Sequence, residues 1–358
     1  MRVLRIFSRR TSDVSYFTDD HALELEGMIN GPGWWLRGEG DTRKDHDVAH
    51  VLASTNRATV LGYDLIFAAP RAVSVLVALD PANAPALLDA HRASVASSMS
   101  YLEQRALVVR DRKAGADRDE PGRWESIVGF THGVNRHGEP HVHDHVLAGA
   151  RLEHATSVLD ARSLYAHART ADALYRSSLR QLIGEETPWV TWRSFRGVEH
   201  VLGVDEGYRA LWGGHFDDRG EKYHWRRDEI VARWREDMVR FEALGEVPAP
   251  TRDRAGVDEH AFGAALEGSR EITRRQLVGA WANAATYGQG AQEIARSIDA
   301  LYPSLRDSRG VRESSIGISE ARMVALVRER GPRPLASTDL DRWAQRSRER
   351  SIGFDRSR

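Results

Sequence analysis

Hydrophobic and polar positions along the chain follow two periods, and the switches between them outline a mixed fold. Residues 61 to 79, LGYDLIFAAPRAVSVLVAL, hold two β-rich runs around Ala69-Pro70, a pattern that fits two strands or a strand entering a helix. Asp80-Pro81 marks a helix start, and APALLDAHRASVASSMSYLEQR repeats its apolar residues at helical spacing, which predicts an amphipathic helix lying on a sheet. ALVVR and WESIVGFTHGV read as strands separated by the polar loop DRKAGADRDEPGR. HVHDHVLAGARLE reads as a further strand, and a helix follows from about Ser163 to Ile183. Strands in antiparallel-sized steps, with helices between groups of them, predict an α+β fold rather than a doubly wound one.

Beyond Pro188 the chain alternates tryptophan-bearing and charged segments, and from about Asp228 it becomes helical. The stretch GEVPAPTRDRAGVDEHAFG, residues 245 to 263, is rich in turn formers and carries the best candidate boundary. It divides an N-terminal domain, residues 1–245, from a mostly helical region, residues 256–358. There ITRRQLVGAWANAATYGQGAQEIARSIDALY predicts two helices before a polar, arginine-rich end from Thr338.

Composition removes several classes of function. The chain has 358 residues, 41% hydrophobic and 29% charged, and no cysteine, so disulfides, thiolate metal sites and cysteine nucleophiles are excluded. Any metal must use His, Asp or Glu. The opening MRVLRIFSRR lacks a signal-peptide core, and the most apolar stretch is broken by Asp64, Pro70 and Arg71, so a cytoplasmic protein without membrane insertion is expected. A net charge of −1 confines any nucleic-acid site to a local patch. None of Lys44, Lys113 and Lys222 follows a glycine, which rules out a Walker A loop.

Five of the fifteen histidines fall in FTHGVNRHGEPHVHDHV, with His137 at the turn and His132, His141, His143 and His145 on the flanking strands. A hairpin with its tip at His137-Gly138 sets His132 opposite His143, and directly opposed residues share a face. His143 and His145 are two apart in one strand and share that face as well. His141 lies on it one pair nearer the turn, an ambiguous fourth member. Pro140 weakens the ladder there, so a bulge can shift these pairings. Three imidazoles with an open position suit a catalytic divalent ion acting on a phosphoryl or carbonyl oxygen. A lone HxH is more often only a polar strand face, and it is the third histidine across the hairpin that favours a metal.

Three stretches resemble the MobF class of conjugative relaxases in the HUH endonuclease superfamily. LGYDLIFAAPRAVSVLVAL is similar to the family's strand ending in an alanine-proline-lysine-serine-valine-serine pattern, FTHGVNRHGEPHVHDHV to its three-histidine block, and LDARSLYAHARTADALYRSSLRQLI to the helix after that block. With the N-terminal SYF the likeness spans roughly residues 1 to 240. It implies a palm-like antiparallel sheet, metal ligands at His132, His143 and His145, and a nucleophile at Tyr16. It further implies an acidic residue at Asp64, acting near the tyrosine or orienting a ligand histidine, an active-site arginine at Arg136, and Arg71 in place of the DNA-contacting lysine. The implied activity is strand-specific nicking and rejoining of single-stranded DNA at an origin-of-transfer hairpin through a 5′-phosphotyrosine. Magnesium or manganese is the implied ion, with zinc or nickel as alternatives. A coupling protein, secretion machinery and a separate helicase are the implied partners.

Tyr16 is followed by Phe17 rather than by the second tyrosine of many MobF proteins, so a second transesterification needs a second molecule or reuse of Tyr16. Asp144 stands between two ligand positions and points to the opposite sheet face. Trp34, Trp35, Trp189 and Trp192 are open to reading as base-stacking platforms or as core. Competing functions are a rolling-circle initiator, a metal-dependent hydrolase and a non-catalytic hairpin binder. A tyrosine ahead of the histidine block favours the relaxase over the initiator.

Overall fold

The computed structural model describes residues 4–18, 33–52, 60–79, 82–111, 118–135, 138–153, 159–186, 192–195, 198–201, 229–230, 232–234, 236, 257–266, 269–310 and 313–317. Its strands are β1 (Leu4–Arg9), β2 (Trp34–Arg37), β3 (Gly62–Ala68), β4 (Val108–Asp111), β5 (Arg118–Pro121), β6 (Ile127–Val134), β7 (Pro140–Gly149), β8 (Trp192–Phe195), β9 (Val198–Val201), β10 (Glu271–Thr273) and β11 (Ser315–Gly317). Its α-helices are α1 (Ser15–Thr18), α2 (Asp45–Ala49), α3 (Arg71–Leu79), α4 (Ala84–Arg105), α5 (Ala161–Glu186), α6 (Glu259–Ala265), α7 (Arg274–Ala284) and α8 (Ala291–Leu301). The main sheet is five-stranded and antiparallel in the order β1-β3-β7-β6-β2, with helices around it, the α+β architecture expected from the sequence.

Strand alternation gives this sheet two unequal faces. Leu4, Tyr63, Leu65, Phe67, Ile127, Val146 and Ala148 point into the large core against the helices. Helix α5 turns Leu164, Ala171, Leu174 and Tyr175 toward this core, and α4 lies beside it with Leu87, Val95, Met99 and Leu102. The opposite face holds a smaller cluster: Val14, Phe17, Val48, Val51, Leu52, Val128, Phe130 and Leu147. Burying fewer apolar groups, this second layer leaves part of the sheet for polar chemistry.

Local sequence explains the elements that frame that open part. The run around Ala69-Pro70 resolves into strand β3 and helix α3, because the proline carbonyl accepts from Val73 and Ser74 as the helix begins. The Ser74 hydroxyl then accepts from the Val142 amide at 2.9 Å, and Ala69 N donates to Val142 O, so the start of β7 is tied to α3. The turn between β6 and β7 closes through Asn135, whose side chain bonds Glu139 at both backbone N–H (3.0 Å) and carboxylate (2.7 Å). Gly138 there has φ 72°, a left-handed conformation glycine adopts without Cβ strain. Its carbonyl accepts from the buried Trp234 indole at 2.9 Å. At the far edge the Trp34 indole covers Gly129, where any Cβ would come within 2.3 Å of the ring.

Two expectations change. The polar stretch after Val108 is not all loop, since β4 and β5 pair as a hairpin. Within the linker-like stretch Asp258 caps helix α6 by accepting from Ala261 N, so that stretch ends in structure. Farther on, α7 begins with a capping box between Thr273 and Gln276, and the buried Arg180 of α5 donates to the carbonyls of Ala282 and Ala285 at its end. These contacts place α7 against α5, in the core cluster that also covers the sheet. Among the described residues no helix is long and apolar enough to cross a membrane. The end from Thr338 lies outside the described residues.

Candidate metal and nucleophile site

The β6–β7 ladder pairs His132 with His143 and Phe130 with His145, as the hairpin argument requires, and it slips only past His132, where a bulge sets Val134 against Pro140. All three imidazoles therefore rise from one face. Their ring centroids lie 5.0 to 5.4 Å apart, and one ligand nitrogen from each falls within 4.8 Å of the others. His141 stacks beside His143 at 4.8 Å and is not one of the converging three.

Two of the rings are oriented from behind. Asp64 of β3 holds His145 Nδ1 with both carboxylate oxygens at 3.0 Å, and His143 Nδ1 donates to the His141 carbonyl at 2.8 Å. An imidazole whose Nδ1–H is engaged in this way offers the lone pair of Nε2, the arrangement of a carboxylate–histidine–metal site. Burial, reinforced by the neighbouring His141, His132 and His145, pushes His143 well below the ordinary histidine value, so it is a neutral imidazole at neutral pH. The donor set fits a divalent cation that accepts imidazole nitrogen and leaves positions open to oxygen.

Tyr16 stands over this trio. Its ring centroid is 5.9 Å from that of His132 and 6.0 Å from that of His145, and it remains 39% exposed. The short helix that carries it is held from both sides. Asp13 accepts from the amide and the hydroxyl of Ser15 at its start, and the buried Val14 and Phe17 enter the smaller core. Phe17 stacks on Phe130 at 5.4 Å and touches His145 at 5.3 Å, with the Arg9 guanidinium 5.4 Å from its ring centre. Thr18 hydrogen-bonds Asp45 of α2. With Val14 and Phe17 inward, Tyr16 is left facing the histidines.

Of the remaining residues suggested by the sequence, Arg71 opens α3, half-buried, and Arg136 lies outside the described residues. Trp34 and Trp35 pack on the two cores, Trp35 also stacking on His50, while the Trp189 and Trp192 side chains are outside the described set. Asp144 turns to the helix face as expected. There His91 Nε2 lies 3.3 Å from Asp144 Oδ1, and His91 Nδ1 is 2.8 Å from the Tyr175 hydroxyl. Sequence reasoning did not find this buried chain, or the support that Arg9 and Phe17 give to Tyr16. The SYF triplet was the one local hint of the latter.

A family model described as TrwC relaxase matches residues 35–213, half of the chain. The chain belongs to the TrwC relaxase family. This agrees with the MobF resemblance, and the three histidines and the segment that follows them lie within the matched region. The multifunctional conjugation protein TraI of Escherichia coli is 22% identical over 369 residues, covering 92% of this chain and 20% of TraI. The chain thus spans about a fifth of that relative's length. Among solved structures, the metal-bound complex of the conjugative relaxase TrwC with oriT DNA aligns with a TM-score of 0.51 at 17% identity, over 67% of this chain and 98% of that one. The metal-free complex gives 0.50 at 18%, with the same coverage. At these identities the likeness establishes the relaxase fold. Tyr16 lies ahead of the matched segment, so its role rests on its place beside the histidines.

Proposed function

We propose that the chain nicks and rejoins one strand of DNA at an origin of transfer, with Tyr16 as nucleophile. The observation that carries this reading is the Tyr16 ring within about 6 Å of two imidazoles of a converging trio. Membership of a relaxase family supports it, as do the titles of the TrwC structures, which describe complexes with oriT DNA. In the proposed step the Tyr16 oxygen bonds to phosphorus as the P–O3′ bond breaks, the phenol proton leaves, and the departing 3′ oxygen is protonated. The products are a 5′-phosphotyrosine and a free 3′ hydroxyl, and reversal reseals the strand without ATP.

His132, His143 and His145 would hold the divalent ion, with Asp64 fixing the ring of His145 rather than serving as a free base. Bound there, the ion would act as a Lewis acid on the phosphate. Magnesium or manganese remains the expected ion, and the three-nitrogen donor set also accommodates zinc or nickel. Arg71 is assigned to the DNA backbone, and Arg136 to the active-site edge on the strength of the family resemblance. We read residues 1–245 as the nicking domain and the helices after Val257 as completing its fold, because they share its core. Cytoplasmic action with a coupling protein, secretion machinery and a separate helicase completes the reading.

The test is a panel of labelled single strands tiled across the transfer origin of the replicon that encodes this chain, incubated with magnesium or manganese and run on a denaturing gel. Wild type should give a protein-linked band, Tyr16→Phe none, and His143→Ala a large loss. Cleavage that survives in Tyr16→Phe would mean a hydrolase and end the proposal.

A further inference from the structure

Three large apolar side chains are conspicuously exposed among the described residues, and two of them, Phe7 at 50% and Tyr16 at 39%, belong to the same sheet face. Phe7 sits on β1, an edge strand, directly opposite Asp64 of β3. Opposed residues share a face, and Asp64 holds His145, so Phe7 projects beside the histidine trio. Arg5, two residues back and also exposed, shares that face. Across β1, β3 and β7, Arg5, Ile66 and His145 form one row, which puts the Arg5 and His145 backbones about 10 Å apart at ordinary strand spacing.

Charge points the same way. Arg71 opens α3, and Ala69 and Ser74 on either side of it are held to Val142 of β7, between His141 and His143, so a second cation stands at the same end of the strands as Arg5. Among the described residues no carboxylate forms an ion pair with Arg5. Charges on an edge strand ordinarily guard it against pairing with another chain. That role explains Arg5 and leaves a half-exposed phenylalanine beside it unexplained. An aromatic ring beside cationic groups at the rim of a phosphate-handling site is an arrangement that suits single-stranded nucleic acid.

We propose that the outward face of β1 is a track for the DNA strand: Phe7 stacks one base beside the scissile phosphate, and Arg5 with Arg71 takes the adjoining backbone phosphate. This rests on the nicking function proposed above and adds a strand-positioning surface to it. Stacking on Phe7 would fix one nucleotide and thereby align the next phosphate under Tyr16.

The experiment compares a short oligothymidylate with an abasic oligonucleotide of equal length by fluorescence anisotropy, using the full chain and measuring adduct formation on origin strands in parallel. Phe7→Ala should weaken oligothymidylate binding by about 10-fold and leave abasic binding unchanged, and Phe7→Trp should restore it. Arg5→Gln should lower the salt-dependence slope by about 0.7 on both probes. Both positions are exposed, so folding is not at stake. Unchanged binding by Phe7→Ala, with normal adduct formation in wild type, would overturn the track while leaving the nicking reading intact. Base-dependent binding that needs Phe7, with no adduct from any origin strand, would sink the nicking reading and keep β1 as a strand-binding surface. A dimer that Phe7→Ala dissociates without changing DNA affinity would assign the face to self-association and also overturn the proposal.

Discussion

The two faces of β7 treat their polar groups in opposite ways. On the helix face Asp144 is fully buried and meets His91, which in turn meets Tyr175. Nearby, Ser98 donates to the Ala171 carbonyl, and His167 lies between the Tyr101 hydroxyl and the Gly310 carbonyl. These side chains meet groups of the protein itself, Asp144 and His91 at ion-pair distance and the others through hydrogen bonds. On the other face the contacts that orient His143 and His145 are made at Nδ1, which leaves Nε2 to offer, and one ligand nitrogen of each lies within 4.8 Å of the other and of one from His132. A closed network holds a strand in place, whereas donors converging on open space are suited to a ligand. Alternation along one strand supplies both, so substitutions one residue apart should separate stability from metal binding.

The largest expected effect tests the closed face. Burial would raise the Asp144 carboxyl, but His91, the Thr131 hydroxyl and Arg92 outweigh it and bring the group below its ordinary value, so it is a carboxylate inside the core. Its contact with His91 is within ion-pair reach but off the alignment of a good hydrogen bond. Asp144→Ala removes a buried carboxylate and leaves His91 Nε2 without its buried partner, which should cost about 3–5 kcal/mol in urea unfolding, with Asp144→Asn milder. Metal affinity of the folded protein should stay near wild type, because Asp144 faces away from the trio. A variant as stable as wild type that binds metal poorly would show that the two faces are not separable.

A smaller effect on the same face concerns acid. Burial holds His167 down to about 4, although the Gly310 carbonyl favours its charged form. In the unfolded chain it takes its proton near 6.5, so between these values the unfolded state binds more protons and stability rises with pH. The contribution is fully present above about 6.5 and fades as pH falls toward 4, by up to about 3 kcal/mol. Stability measured from pH 7 to pH 4 should therefore fall less steeply in His167→Gln than in wild type. Parallel curves would mean that the imidazole is protonated in the folded protein.

How much of this was legible in the sequence follows the range of the interactions. The histidine trio could be read because strand alternation and hairpin pairing are local rules, and the helices after Asn83 and Asp160 because their apolar spacing is regular. Strand β5, RDEP, carries no apolar alternation and is recognisable only by its partner β4. The bulge past His132 depends on the turn closed by Asn135 and Glu139, a side-chain arrangement that hydrophobic pattern does not encode. His91 lies on a helix far along the chain from Asp144, so neither predicts the other. The return of Tyr16 to the sheet was implied by family likeness alone. Its physical cause, Val14 and Phe17 burying on the site face, emerges only when that face is seen.

The smallest effect sharpens the contrast from the open side. Asp64 is 6% exposed, and both its oxygens contact His145 Nδ1, so it acts on one of the converging imidazoles rather than on the core. Asp64→Asn keeps an acceptor at nearly the same place and removes the charge, which should lower divalent-metal affinity about 10–100-fold while leaving urea stability of the metal-free protein within about 1 kcal/mol of wild type. Calorimetric titration with manganese and unfolding in a chelator make the comparison. If Asp64 were instead the proton acceptor for Tyr16, affinity would hold and only adduct formation would fall. Affinity therefore separates the two roles open to this carboxylate. A loss of metal binding in Asp64→Asn, set against its retention in Asp144→Ala, would show that two carboxylates contacting opposite faces of one strand serve different ends because of what each meets.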